Sequence, residues 1–178
     1  MKESPPAWAR RGSGAGDDQL GGMTSSPEGD IFVAGTTLAS SSFGMGGVIG
    51  AVPTSNTLLL VKMDSAGNGK WIKSVGSSFN PTVSEPVGFS AAAYSTGAGA
   101  VIWAGDFAGS LKLTSPAIPS LGGKDVFVAK LSTAGTTAWA KSFGGTNDQY
   151  ANVLAVDGLG IFMSQASSLV RSRSVRPP

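Results

Sequence analysis

Apolar residues in this chain come in short runs broken by glycine, serine and threonine. Residues 126–131 read VFVAKL, rich in β-branched and aromatic side chains and bounded by Gly122-Gly123 before and Ser132-Thr133 after. That is a strand pattern. Five of its six residues are apolar, so it does not alternate between a dry and a wet face, and a strand covered on both sides is expected. Residues 132–137 carry a small-residue turn, with Gly135 at the position that needs φ > 0. Trp139 opens the return strand WAKSF, which places Trp139 and Lys141 on one face. Residues 122–145 thus predict a complete β-hairpin.

The same text recurs. Trp8, Trp71 and Trp139 head the segments WAR, WIKS and WAKS, 63 and 68 residues apart. Lys62 and Lys130 each stand nine residues before their tryptophan, and Ala66-Gly67 matches Ala134-Gly135 in the turn between. Downstream, Asp18-Gln19 and Asp148-Gln149 are each followed thirteen residues later by Ile-Phe, at 31–32 and 161–162. Residues 31–35 (IFVAG) correspond to 101–105 (VIWAG), which aligns Gly35 with Gly105. A constant hairpin with length changes confined to loops is the mark of a repeat architecture. Units of roughly 8–57, 58–125 and 126–165 follow, the middle one with strands over 58–63, 71–75, 88–94 and 100–106. Together they form one repeat domain over 1–165, and 166–178 reads as a disordered basic tail.

Composition narrows the chemistry. The 178 residues include 26 glycines and 10 prolines, with only 13% charged, which fits an all-β protein of many short strands. Net charge is +2, and removing Arg171, Arg173 and Arg176 leaves −1, so the basic balance belongs to the tail and predicts no nucleic-acid-binding face. Cysteine and histidine are absent, which removes disulfides, thiolate nucleophiles, Cys/His zinc sites and histidine-based triads. The start, MKESPPAWARR, has no apolar core of a signal peptide, and no apolar run is long enough to span a membrane.

The string D-x-F-V-A-K-L, a small-residue turn, W-A-K-x-F-G-G and then Asp-Gln runs through 125–131, 139–145 and Asp148, with the late strand of 29–35. It resembles the bacterial β-propeller repeat called SBBP. The resemblance covers about residues 8–163, two to two and a half repeats, and implies an incomplete β-propeller of four-stranded antiparallel sheets. Open stacked sheets or a β-sandwich are the alternatives. It further implies an extracytoplasmic or cell-surface protein with a binding role, no common catalytic residues, and neighbouring blades or self-association, since a propeller closes with about four to eight blades. Protein or carbohydrate would be the partner.

Each candidate site has two readings. Trp8, Trp71 and Trp139 either stack a ligand or fill the space between sheets, and recurrence favours filling. Arg10, Lys73 and Lys141 either line a basic groove or lay their stems on the tryptophans. Asp17, Asp18, Asp30, Asp148 and Asp157, with the stretch Asp64–Gly69, leave calcium as the one cofactor to weigh, against the usual role of aspartate in bonding its own turn. The loop over 36–57 carries Phe43, Val48 and Ile49 as the expected binding residues. Gly35, Lys62, Gly67, Gly105, Asp125, Lys130, Gly135 and Asp148 are expected to be structural. The expected function is a non-catalytic binding module. The alternatives are a truncated remnant without independent function, or a glycosidase-like hydrolase using Asp17, Asp18 and Asp148.

Overall fold

The computed structural model describes residues 8–9, 11–14, 18–37, 41–42, 57–76, 90–156 and 162–168. Those residues are all-β. Strands β2 (Asp18–Ser25), β3 (Ile31–Thr37), β5 (Thr57–Met63) and β6 (Gly69–Gly76) form one four-stranded antiparallel sheet, in that order. Strands β7 (Ser90–Ser95), β8 (Ala100–Leu111), β9 (Ile118–Ser132) and β10 (Thr137–Phe143) form a second. Strands β11 (Gln149–Val156) and β12 (Phe162–Ser168) pair as a third, and β1 (Ser13–Gly14) pairs with β4 (Ser41–Ser42). Neither four-stranded sheet closes into a barrel.

The strands expected over 58–106 all form, but they do not share a sheet. β5 and β6 complete the first sheet, whereas β7 and β8 begin the second. A sequence repeat fixes a period and not a phase. Here hydrogen bonding joins β3 to β5 across the long connection, and β6 is not joined to β7. β12 also runs to Ser168, three residues past the boundary expected at 165; the tail from 169 lies outside the described residues.

The two four-stranded sheets are built in the same register. Phe32 lies opposite Lys62, and Lys62 opposite Trp71. Ile102 lies opposite Lys130, and Lys130 opposite Trp139. The adjacent row runs Met23–Val33–Val61–Ile72 in the first sheet and Ala92–Trp103–Ala129–Ala140 in the second. The β11–β12 pair differs: Val156, two residues beyond the counterpart of Thr24, faces Phe162. A two-residue slip keeps every side chain on its own face, so the pattern tolerates it.

These rows stack. Phe32, Ala34, Leu58 and Leu60 of the first sheet share one core cluster with Trp103, Phe127, Ala129 and Leu131 of the second. On the second sheet's other face, Ile102, Ala104 and Val128 pack with Trp139 and with Leu154 and Val156 of β11. Val126, Phe127, Val128 and Ala129 are consecutive and all at most 1% exposed, as the unbroken apolar run requires. Trp103 packs edge-on to Phe127, with ring centroids 5.3 Å apart, and its Nε1–H donates to Ser90 Oγ at 2.9 Å. β8 and β9 extend well beyond the sheet as a long hairpin with a bulge near Gly109, burying Phe107, Leu111 and Leu113. The prolines and glycines of 109–123 disguise that extension as loop.

Candidate functional site

Three turns share one hydrogen-bond pattern. Ser26, Asp64 and Ser132 each donate their N–H to the carbonyl four residues on, and each accepts from the N–H of a glycine three residues on. Those glycines, Gly29, Gly67 and Gly135, have φ of 86°, 76° and 85°. A three-residue hairpin loop closed by a left-handed glycine is the arrangement that follows the strand twist. The Asp64 carboxylate tightens its turn, accepting from Ala66 N at 3.0 Å and Asn68 N at 2.8 Å. Ser132 Oγ accepts from Thr136 N at 3.2 Å in the counterpart.

The tryptophans dock on these turns. Trp8 Nε1 donates to Ser65 O at 2.9 Å, and a Cβ on Gly67 would stand 2.7 Å from its indole. Trp71 Nε1 donates to Thr133 O at 3.1 Å, and a Cβ on Gly135 would stand 3.1 Å from its indole. The glycine therefore serves twice, supplying the backbone angle and a flat floor for a ring. Trp71 crosses from the first sheet to the second sheet's turn, so it fills the gap between sheets. Trp139 is half-buried against the cluster shared with β11.

Of the lysines weighed as groove or stem, Lys73 does something else, and Lys62, expected to be structural, joins it. Lys73 Nζ reaches across to donate to Gly135 O at 3.0 Å. Lys62 Nζ donates to Thr133 O at 3.1 Å, pairs with Asp30 at 2.7 Å, and lies over the Phe32 ring at 5.6 Å. Trp71, Lys62 and Lys73 thus bind one turn together. Sequence reasoning missed this latch, although the fixed spacing of lysine and tryptophan was its signal. Lys141 is exposed. The Tyr94 hydroxyl beside this cluster is pushed above its ordinary pKa, mainly by burial and then by Glu28 and Asp30.

The aspartates hold backbone. Asp64 is kept far below the usual carboxylate range by its hydrogen bond from Lys70, then by those from Asn68. Asp125 is fully buried; its Oδ2 accepts from Leu121 N at 2.7 Å, and Oδ1 lies where any Cβ on Gly144 would collide. Asp148 accepts from Lys124 N at 2.8 Å and from Tyr150 Oη at 3.3 Å, and a Cβ on Gly123 would strike it. Among the described residues no three Asp or Glu side chains gather as a metal-binding group. Gly35 lets β2 approach, since a Cβ there would sit 2.5 Å from Gln19 O. Gly105 takes the matching place between Ser90 and Phe127, and Lys130 between Ile102 and Trp139. Phe43, Val48, Ile49, Arg10, Asp17 and Asp157 lie outside the described residues.

On the first sheet's face away from the second, a groove of about 300 Å³ is lined by Val33, Leu59, Val61 and Met63, with Arg11 and Asp18 beside them. This face was not singled out from the sequence. Asp18 lines the groove, whereas Asp148 sits on the Lys124 amide of the second sheet, so the two equivalent aspartates serve different elements.

No protein-family model matches the chain, and no curated protein matches it. No helix among the described residues is long and apolar enough to cross a membrane.

Proposed function

We propose that the chain is a non-catalytic binding module of an extracytoplasmic or cell-surface protein, built as an incomplete β-propeller. The observation that carries this reading is the twice-used docking of a tryptophan on a glycine turn, in sheets of matching register. Residues invested in equivalent inter-sheet contacts make a scaffold, and binding then falls to its connections. The missing histidine and cysteine and the structural use of Asp64, Asp125 and Asp148 agree with a scaffold. The resemblance to SBBP repeats supplies the compartment, and the partner class it implies is protein or carbohydrate.

A panel of chromogenic glycosides incubated with pure protein tests the reading, with Asp18→Asn and Asp148→Asn as controls. No turnover above those controls is expected. Reproducible turnover lost in either variant would replace the module with a carboxylate hydrolase. Calorimetry addresses the remnant reading: a single transition with equal calorimetric and van 't Hoff enthalpies is expected of a folded module. A broad, non-cooperative melt would favour a remnant.

A further inference from the structure

One dipeptide carries chemistry that a scaffold does not use. Asn68 is followed by Gly69, whereas Asn56, Asn80, Asn147 and Asn152 precede Thr57, Pro81, Asp148 and Val153. Glycine has no Cβ to hinder its own amide nitrogen, so that nitrogen reaches the side-chain carbonyl carbon of a preceding asparagine most readily. Asn68 is exposed, which gives solvent base and water access to it. It ends the turn that seats Trp8 and directly precedes β6, which carries Trp71 and Lys73.

Asp64 holds Asn68 at three points. Asn68 N donates to Asp64 Oδ1 at 2.8 Å, Asn68 Nδ2 donates to Asp64 Oδ2 at 3.1 Å, and Asn68 O accepts from Asp64 N at 2.9 Å. The carboxylate is itself fixed by Lys70 Nζ at 2.9 Å. For the Asn68 side chain to swing onto the Gly69 nitrogen, its charge-assisted bond to Asp64 must break first. The inner turn has no such chemistry, because Thr136 takes the place of Asn68 there.

We propose that Asn68–Gly69 is a site of spontaneous deamidation, gated by the Asp64 carboxylate. With the clamp open, the Gly69 nitrogen gives its proton to solvent base and bonds to Asn68 Cγ. The Cγ–Nδ2 bond breaks, and Nδ2 leaves as ammonia with a proton from solvent. Water then opens the cyclic succinimide at either carbonyl, giving aspartate or isoaspartate. The sum is amide plus water to acid plus ammonia, with no change of oxidation state. Either product undoes the turn. An aspartate puts a second carboxylate where Nδ2 now lies 3.1 Å from Asp64 Oδ2, and like charges that close repel. An isoaspartate adds a methylene to the backbone just before β6, displacing Trp71 and Lys73 from the carbonyls of Thr133 and Gly135. The inference is independent of the proposed function.

Peptide mapping tests it. The folded chain and the chain in concentrated guanidinium chloride are held at the same warm temperature and mildly alkaline pH. The tryptic peptide 63–70, released by cuts after Lys62 and Lys70, is followed by mass spectrometry and by chromatography that resolves isoaspartate. The denatured chain is expected to lose the amide steadily, and the folded chain roughly tenfold more slowly, since a hydrogen bond to a charged group must open first. Asp64→Ser, which copies the inner turn, and Asp64→Asn are each expected to bring the folded rate most of the way to the denatured one, with circular dichroism showing that the variant is folded. No loss of the amide in denaturant overturns the site. Equal rates in the folded and denatured wild-type chain overturn the gate, whether or not a variant folds. A folded variant that deamidates as slowly as wild type also overturns it, because another contact then holds the amide.

Discussion

The two faces of the first sheet differ although one alternating sequence makes both. Toward the second sheet, Phe32, Ala34, Leu58 and Leu60 are buried to 2% or less. Away from it, Leu59, Val61 and Met63 are buried to 6% or less as well, but Leu20 and Met23 on the edge strand β2 stand in water and a groove remains. The second sheet has no such asymmetry, because β11 covers its far side. The comparison of equivalent rows explains the groove. The second sheet fills its row with one tryptophan among three alanines, and that tryptophan reaches the neighbour. The first sheet has four middle-sized residues, none of which reaches as far. Exposure on the outer face is therefore a matter of the β2 edge and not of the whole row.

The sharpest way to break that comparison is to truncate the equivalent residues Trp103 and Val33. Trp103 is fully buried, so Trp103→Ala is expected to cost about 3–5 kcal/mol, the lost transfer energy plus the cavity left behind. Val33 is half-buried on the groove, and Val33→Ala is expected to cost about 1 kcal/mol. Urea unfolding of both variants decides it. Equal costs would mean that the two rows are not the inner and outer versions of one interface.

The next effect separates the latch from its turn. Gly135 has φ of 85° and a Cβ there would meet Trp71 at 3.1 Å, whereas Gly99 has φ of 56° and open space around it. Gly99→Ala is expected to cost about 1 kcal/mol from the left-handed backbone alone. Gly135→Ala adds displacement of the indole, for about 2–3 kcal/mol in total. Chemical denaturation midpoints measure both. If the two variants are equally stable, the indole's seat on Gly135 contributes nothing.

Strands were legible where local text specifies them. The hairpin over 122–145 forms with Gly135 at positive φ, and the lysine and tryptophan nine apart in sequence end up as cross-strand neighbours. What stayed hidden depends on distance in sequence. The joining of β3 to β5, rather than of β6 to β7, rests on which edges meet after folding, and no short window carries that. The extension of β8 and β9 was masked by Pro116, Pro119 and several glycines, residues that locally favour loops but here lie near a bulged hairpin end. The carbonyl-seeking role of Lys62 and Lys73 was hidden because their partner turn lies more than sixty residues away. The groove was equally invisible, since Val33, Leu59, Val61 and Met63 read as buried strand residues whether or not a cleft remains over them.

The smallest effect distinguishes the two latch turns by pH. The outer turn is tightened by the Asp64 carboxylate, the inner one by the Ser132 hydroxyl, which does not titrate. Asp64 is depressed far below an ordinary carboxylate, first by Lys70 and then by Asn68. A group whose folded pKa is depressed contributes stability that is present above the unfolded value, about 3.9 for aspartate, and lost as pH falls through the folded one. Stability from Asp64 is therefore expected to be constant from neutral pH down to about 4 and to decline only below that. Asp64→Asn removes that decline and leaves the rest of the acid profile in place. The carboxyl carbon of Asp64, followed by NMR during acid titration, should still report the ionised form at pH values where exposed aspartates have already taken up a proton. An ordinary midpoint near 3.9 would show that the turn is held by its glycine and backbone, and that the carboxylate makes the outer latch no stronger than the inner one.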